Sequence, residues 1–438
     1  MVIDIIIVTF ILIIALKIIF DLRYIFITQK FIKERKEIFI TKKTNVLLII
    51  PVLREQNIIE ATLDYFTNFK LNNINLHVCI SGTSRERDGK IEGYISTGAI
   101  VEKWIEKNKM KFNESLKFSY FEVCEKNGDR ASQLNYAVNK VSETYTPDII
   151  GVYDADSLPD ISTLEEVASE YCKNPNTIFQ QPVHFITAAN RMAKQKKNPI
   201  LVANALYQTT WTAIRELPRW KCHSEFCEKK NEKNYFRNDY LIGHGEFIPF
   251  KIYNEFIFPE KEVTDGIQLG YRISMSGIPI KPLHTFCVDD VPQEIKQLIG
   301  QHKRWFGGCN RLFSAYRWCK DNCEKTSISQ MIDGYWSQLS WAYAGLYAII
   351  AIILSILKAG CGNYFYIVVV GVEVIVYCYL IPYISNKLMP EKIKIRLIDW
   401  LCLPIAIGLK GIGPNWYFCQ RIISVLSKKE IKYSKVER

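Results

Sequence analysis

Hydrophobicity in this 438-residue chain is concentrated at its two ends, and that distribution limits the architectures open to it. Residues 5–16 carry no charge, and the apolar stretch 2–20 is interrupted only by Asp4 and Lys17. About 20 such residues suffice to cross the hydrocarbon core of a bilayer. A cleaved signal peptide is the rival reading, but a basic leading region and a small-residue cleavage site are both missing. Residues 1–22 therefore read as a retained anchor. Arg23, Lys30, Lys33, Arg35, Lys36, Lys42 and Lys43 follow it within residues 23–44. By the positive-inside rule they place the middle of the chain in the cytoplasm, at an inner or plasma membrane.

At the other end, residues 334–357 are charge-free, and 361–386 contain one charged side chain, Glu373. Both stretches are long enough to span. A third stretch, 397–419, holds Lys410 and is broken by Pro404, Gly408, Gly411, Gly413 and Pro414, so it reads either as transmembrane or as re-entrant. Residues 331–423 are thus expected to form a membrane region, followed by a basic tail at 424–438. A carboxylate inside a span needs a polar cavity or a partner, and Lys410 is the candidate partner of Glu373.

Between these ends the composition is that of an ordinary folded protein. With 56 basic and 45 acidic residues, 23% charged and 48% hydrophobic, the chain is excluded from the disordered, collagen-like and small disulfide-scaffold classes. The net charge of +11 invites a nucleic-acid reading, yet no recognition motif accompanies it, and the basic run behind the anchor suits anionic lipid headgroups. Most of the 13 cysteines fall in the expected cytosolic part and are read as thiols. Cys222, His223, Cys227, Cys319 and Cys323 form a loose group that would suit a structural zinc only if folding brought them together.

Residues 45–292 show no repeat and no linker, and read as one domain. Apolar runs of strand length at 45–52, 75–80, 118–123 and 148–153 alternate with helical spacing at 55–69, 91–107 and 130–142. That alternation predicts an α/β fold with a mostly parallel sheet, whose ligands sit beyond the carboxyl ends of the strands. There the sequence has Asp154-Ala155-Asp156, two carboxylates suited to a hard divalent cation, or else a turn-forming pair ahead of Pro159. Arg130 opens a helix and so suits an anion. Asp265 stands isolated before a helical run, and Gln301-His302-Lys303-Arg304-Trp305, within the segment 293–330, puts a guanidinium beside an indole.

Taken in order, Pro51 with Glu55, Arg130-Ala131 with Leu134-Asn135, Asp154-x-Asp156, Thr264-Asp265 with Leu269-Gly270-Tyr271-Arg272, and Gln301-x-x-Arg304-Trp305 resemble the inverting, membrane-integrated family 2 glycosyltransferases. These include cellulose, hyaluronan and poly-N-acetylglucosamine synthases. The resemblance covers residues 45–308 and implies a Rossmann-like GT-A domain flanked by transmembrane helices. It further implies a nucleotide-sugar donor, a UDP-sugar first among the choices, with Mg²⁺ or Mn²⁺ held by Asp156 and Asp154. Pro51, Glu55, Arg130, Asp154, Gln301 and Arg304 would line the donor site. Asp265 would be the general base, and Trp305, His244 and Glu246 would meet the acceptor. Trp305 has an alternative as an interfacial aromatic, and Gly243-His244-Gly245-Glu246 one as a plain turn.

The implied product is a growing glycan, with transfer of one sugar to a lipid acceptor as the alternative. An oligomer or an export partner would then complete the route outward. Two departures stand out: Ser81-Gly82-Thr83 replaces the usual nucleotide-recognising Asp, and Thr264 replaces the acidic residue that usually precedes the base.

Overall fold

The computed structural model describes residues 2–35, 37–88, 93–124, 128–187, 198–230, 235–323 and 326–427. Lys36 of the basic run and most of the expected tail lie outside the described residues.

Among the described residues nine strands form, β1 (Thr44–Pro51), β2 (Ile74–Thr83), β3 (Leu116–Val123), β4 (Ile149–Val152), β5 (Ile178–Gln180), β6 (Val183–Ile186), β7 (Glu246–Pro249), β8 (Ile280–Pro282) and β9 (Cys287–Asp290). Seven of them make one sheet in the order β3-β2-β1-β4-β7-β5-β8, with β6 and β9 paired beside it. β1 runs parallel to both β2 and β4, while β7 is antiparallel to β4 and β5. The mostly parallel α/β sheet expected from the alternating pattern is therefore present.

The continuous apolar run of β1 has a simple cause. Leu47, Leu48, Ile49 and Ile50 are all fully buried because both faces of the sheet are covered. Val46, Leu48 and Ile50 point into one core layer with Leu63, Phe66, Trp104 and Leu164, brought by the helices Ile59–Thr67, Thr97–Asn108 and Ile161–Lys173. Leu47 and Ile49 point the other way, onto Leu134, Val138, Leu269 and Ile273 from Arg130–Ser142 and Asp265–Met275. Each such side chain contributes about 1.5–3 kcal/mol by leaving water. The two helices that carry Arg130 and Asp265 thus share one layer.

Among the described residues, three helices are long and apolar enough to cross a membrane: Ile3–Lys33, Ile328–Gly360 and Phe365–Leu388. Their outer faces expose Ile5, Leu12, Leu16, Ile353, Val368 and Val372, as lipid-facing surfaces require. Lys358 pairs with Asp4 at 2.6 Å, joining the first helix to the second.

The third stretch forms no continuous span. It breaks into Leu397–Leu401, Leu403–Leu409 and Ile412–Ser427, with Pro404 in the first turn of the middle piece. The last piece lies against the helix Ile295–Cys309, where Gly413 lets the backbone close on His302 and Lys303. The expected pairing of Glu373 with Lys410 does not form. Lys410 Nζ donates to the hydroxyls of Tyr207 and Tyr377, and Glu373 is buried on Phe365–Ile375.

Phe66 is fully buried in the first core layer and also meets Tyr65 and Phe69 edge-on. Truncation by Phe66→Ala is expected to cost about 3–5 kcal/mol, seen as a lower apparent Tm of the purified full chain in detergent.

Candidate functional site

In the strand order, β2 lies on one side of β1 and β4 on the other, so the carboxyl ends of β1 and β4 flank a crevice. Pro51 and Glu55 follow β1, and Asp154 and Asp156 follow β4. All four border a cavity of about 870 Å³ that also receives Arg130, His244, Asp265, Gln301, Arg304 and Trp305.

Arg130 is the hub. It starts its helix behind a capping box in which Asp129 accepts from the Ser132 backbone N–H at 2.9 Å. Its Nη1 donates to Asp265 Oδ2 at 2.6 Å, and Nη2 reaches Asp154 Oδ1 at 3.4 Å and the Gly243 carbonyl. Burial disfavours the guanidinium charge, but Asp265, Asp154 and Glu246 more than offset this and raise its pKa. One cation therefore ties the strand-end carboxylate Asp154 to the carboxylate that opens the helix Asp265–Met275.

Asp265 is placed by backbone contact from two sides. A Cβ on Gly266 would come within 2.5 Å of Gly243 Cα, and one on Gly308 within 1.8 Å of Thr264 Oγ1. Gly243 itself sits at φ +92°, in the left-handed region that favours glycine. Gln268 Nε2 donates to the Gly308 carbonyl at 2.9 Å, linking the Asp265 helix to Ile295–Cys309, which carries Gln301, Arg304 and Trp305. Gln301 is buried, while Arg304 and Trp305 are half-buried at the cavity wall.

A second acidic group lies beside Asp154 and Asp156. Asp289, on β9, accepts from Ser157 Oγ at 2.5 Å and pairs with His244 Nε2 at 2.8 Å. Burial pushes the Cys287 thiol well up, and the carboxylates of Asp289, Asp154 and Asp156 push it further. The Ser157 contact brings Asp289 to the loop that carries Asp154 and Asp156, and all three border the cavity. Carboxylate oxygens with one imidazole suit Mg²⁺ or Mn²⁺, whereas a buried, protonated thiol does not favour a soft metal.

Among the described residues, His244, Cys287 and Asp289 are the one group of metal-ligating type within 4.8 Å of one another. The loose cysteine group singled out in the sequence does not converge. His223 is engaged by Asp239 at 2.6 Å and Cys319 by the Arg272 carbonyl at 3.3 Å.

Glu246 differs from its sequence-based expectation. It is fully buried on β7 and does not border the cavity, so it lies beneath the site instead of facing an acceptor. All four residues of β7 are buried because both faces of the sheet are covered there, and Glu246 pairs with Val152 in the sheet interior.

Several cavity residues had not been singled out. Arg54, held at φ +62° after β1, and Arg85 after β2 both border the cavity. Arg85 Nη1 donates to the Gly128 carbonyl at 2.6 Å. The carboxyl-end rule that found Asp154 would have found both.

No family model and no curated protein matches the chain. Solved structures do. The mannosyltransferase PcManGT from Pyrobaculum calidifontis, in complex with GDP-Man and Mn²⁺, is 15% identical over 93% of this chain and 98% of its own, with a TM-score of 0.53. TarS from S. aureus in complex with UDP is 10% identical, over 90% of this chain and 94% of its own, at a TM-score of 0.41. The same protein in complex with UDP-GlcNAc is 11% identical, over 89% and 94%, at 0.40. At these identities the likeness is one of fold: the chain shares the α/β architecture of solved glycosyltransferases.

Burial raises the Glu246 carboxyl to about 7, with Asp265 adding to the rise and Arg130 opposing it. A carboxyl held up in the fold binds its proton more tightly there than when unfolded. The stability this contributes is present below the unfolded value of about 4.3 and is lost as pH rises towards 7. Glu246→Gln is expected to flatten that decline and to gain about 1–3 kcal/mol over the native chain at pH 8 relative to pH 4.5, measured by thermal unfolding at both pH values.

Proposed function

We propose that the chain is a membrane-integrated, inverting, metal-dependent glycosyltransferase that moves a sugar from a nucleoside-diphosphate sugar to an acceptor hydroxyl. The observation that carries this is the pairing of Asp154 and Asp265 with Arg130 at the strand-switch crevice, in one cavity with Asp156, Arg304 and Trp305.

Asp156 and Asp154 would hold the divalent ion, with Asp289 and His244 beside them. When bound, that ion supplies positive charge to the leaving diphosphate. Arg54, Arg85, Arg130 and Arg304 supply more, in the bidentate form that suits phosphate oxygens. The donor diphosphate also competes for Arg130. Once Arg130 turns to it, Asp265 Oδ2 is released to accept the proton of the acceptor hydroxyl. That oxygen then attacks the anomeric carbon from the face opposite the diphosphate, and a single displacement inverts the centre. Trp305 offers an apolar face to a sugar ring. Thr264, in the place of a second acid, stays packed on Gly308 and fixes the helix start.

A polysaccharide-building role accords with the Gln-x-x-Arg-Trp pattern of residues 301–305. The course of the cavity favours a lipid-held acceptor, because it continues to Tyr207, Trp211, Trp341 and Lys410 among the apolar helices.

The test is a donor screen with full-length, lipid-reconstituted protein, offering UDP-, GDP- and TDP-sugars with Mg²⁺ or Mn²⁺ and sizing the product. Asp265→Asn is expected to lower transfer by about 10²- to 10⁴-fold while leaving nucleotide binding intact. Asp156→Ala is expected to abolish metal-dependent nucleotide binding as well. Full turnover by either variant would remove the corresponding role, and no turnover with any donor would remove the enzyme assignment.

A further inference from the structure

The far end of the cavity has a charge problem of its own. The helix Pro199–Trp211 passes into a π-helical turn, Thr212–Glu216, a distortion that tends to occur at functional sites. It turns Trp211 and Arg215 to the cavity wall opposite Lys410. Lys410 is only 4% exposed, and its Nζ donates to Tyr207 Oη at 2.5 Å and Tyr377 Oη at 3.4 Å. The Lys410 ammonium lies 5.9 Å from the Trp211 ring centre, and the Arg215 guanidinium carbon lies 5.7 Å from it. Arg215 Nε is buried without a hydrogen-bond partner.

Nearby carboxylates are engaged elsewhere. Asp21 is paired through Oδ2 with Lys17 and makes no hydrogen bond to Lys410 or Arg215, Asp333 is paired with Arg219 at 3.2 Å, and Glu216 accepts from the hydroxyls of Tyr240 and Thr212 at 2.8 and 3.0 Å. Among the described residues neither Lys410 nor Arg215 has an ion-pair partner. Two cations set on one indole, one buried and one partly so, are costly without an anion, more so beside a bilayer.

The geometry points to an anionic subsite here, one that holds the phosphate of a lipid acceptor while a hydroxyl farther along its head reaches Asp265. This rests on the sugar-transfer reading of the site. The donor diphosphate has its own cations at the opposite end, around Arg54, Arg85 and Arg130. The surroundings select a lipid phosphate over a free anion: Trp211 and Trp341 flank the site, and Trp341 belongs to the membrane-spanning helix Ile328–Gly360.

Asp265 selects a hydroxyl as the nucleophile, because a base has work only where a proton must leave. In the step, the acceptor oxygen bonds to the anomeric carbon and its proton passes to Asp265. The bond from that carbon to the donor phosphate breaks, its electron pair leaving on the nucleoside diphosphate. The lipid phosphate is unchanged.

The experiment uses the full chain in a neutral maltoside detergent and measures binding of dioctanoyl phosphatidic acid, dioctanoylglycerol and inorganic phosphate. Phosphatidic acid is expected to bind and dioctanoylglycerol not to. Arg215→Gln and Lys410→Met should each weaken binding about 10-fold or more, and Lys410→Arg should retain it. Binding of GDP or UDP with Mn²⁺ should be unchanged in every variant, which also reports that each is folded. Equal binding of the uncharged lipid, or unchanged affinity in both charge-removing variants, would overturn the subsite. Inorganic phosphate binding as tightly as phosphatidic acid would overturn the lipid assignment. Failure of the native chain to bind either nucleotide while it binds phosphatidic acid would count against the transfer reading alone.

Discussion

The Arg130 guanidinium is the contact on which the site depends. Three separate parts of the chain present oxygens to it: the end of β4 through Asp154, the loop before β7 through Gly243, and the helix that starts at Asp265. Each brings negative charge or a dipole into a partly dry crevice, where like charges left alone would repel strongly. The cation converts that repulsion into a fixed geometry. It can do so because its own helix is capped by Asp129 and Ser132 and packed through Leu134 and Val138 on the face of β1. Electrostatics at the crevice are thus held in place by the apolar layer beneath it.

Much of this was legible before the fold was seen. The runs that became β1 to β4 are short, apolar and separated by helical periodicity, and the helix Arg130–Ser142 begins and ends where the pattern placed it. Asp154 and Asp156 were legible because a carboxyl pair at a strand end is local information. Asp289 was not, because its strand β9 gains meaning only by pairing with β6, more than a hundred residues earlier. Glu246 was misread for a related reason: four residues of strand contain too little alternation to show which face a side chain takes, and its antiparallel pairing with β4 turned it inward. The role of Lys410 was obscured similarly, since one cation in a broken apolar stretch does not reveal that tyrosines of two other helices will receive it.

The two ends of the cavity share a principle with different solutions. At the strand ends, Arg130 is balanced by carboxylates and the cluster is complete in itself. On the membrane side, Lys410 and Arg215 gather round an indole and phenols, which accept hydrogen bonds or offer a π-face but bring no full negative charge. The first arrangement stabilises the resting protein. The second leaves the resting protein less stable than it would be with an anion in place.

Gly308, Gln268 and Gly413 together form a mechanical path. The broken apolar piece Ile412–Ser427 rests on His302 and Lys303, the same helix touches Thr264 at Gly308, and Thr264 immediately precedes Asp265. None of these approaches has a flexible side chain as a cushion on the glycine side, and close-packed interiors pass displacement on instead of absorbing it. A displacement of Ile412–Ser427 against the helix Ile295–Cys309 would therefore reach Asp265 by a short route that bypasses the sheet, so the seating of this last apolar piece helps to set the alignment of the site.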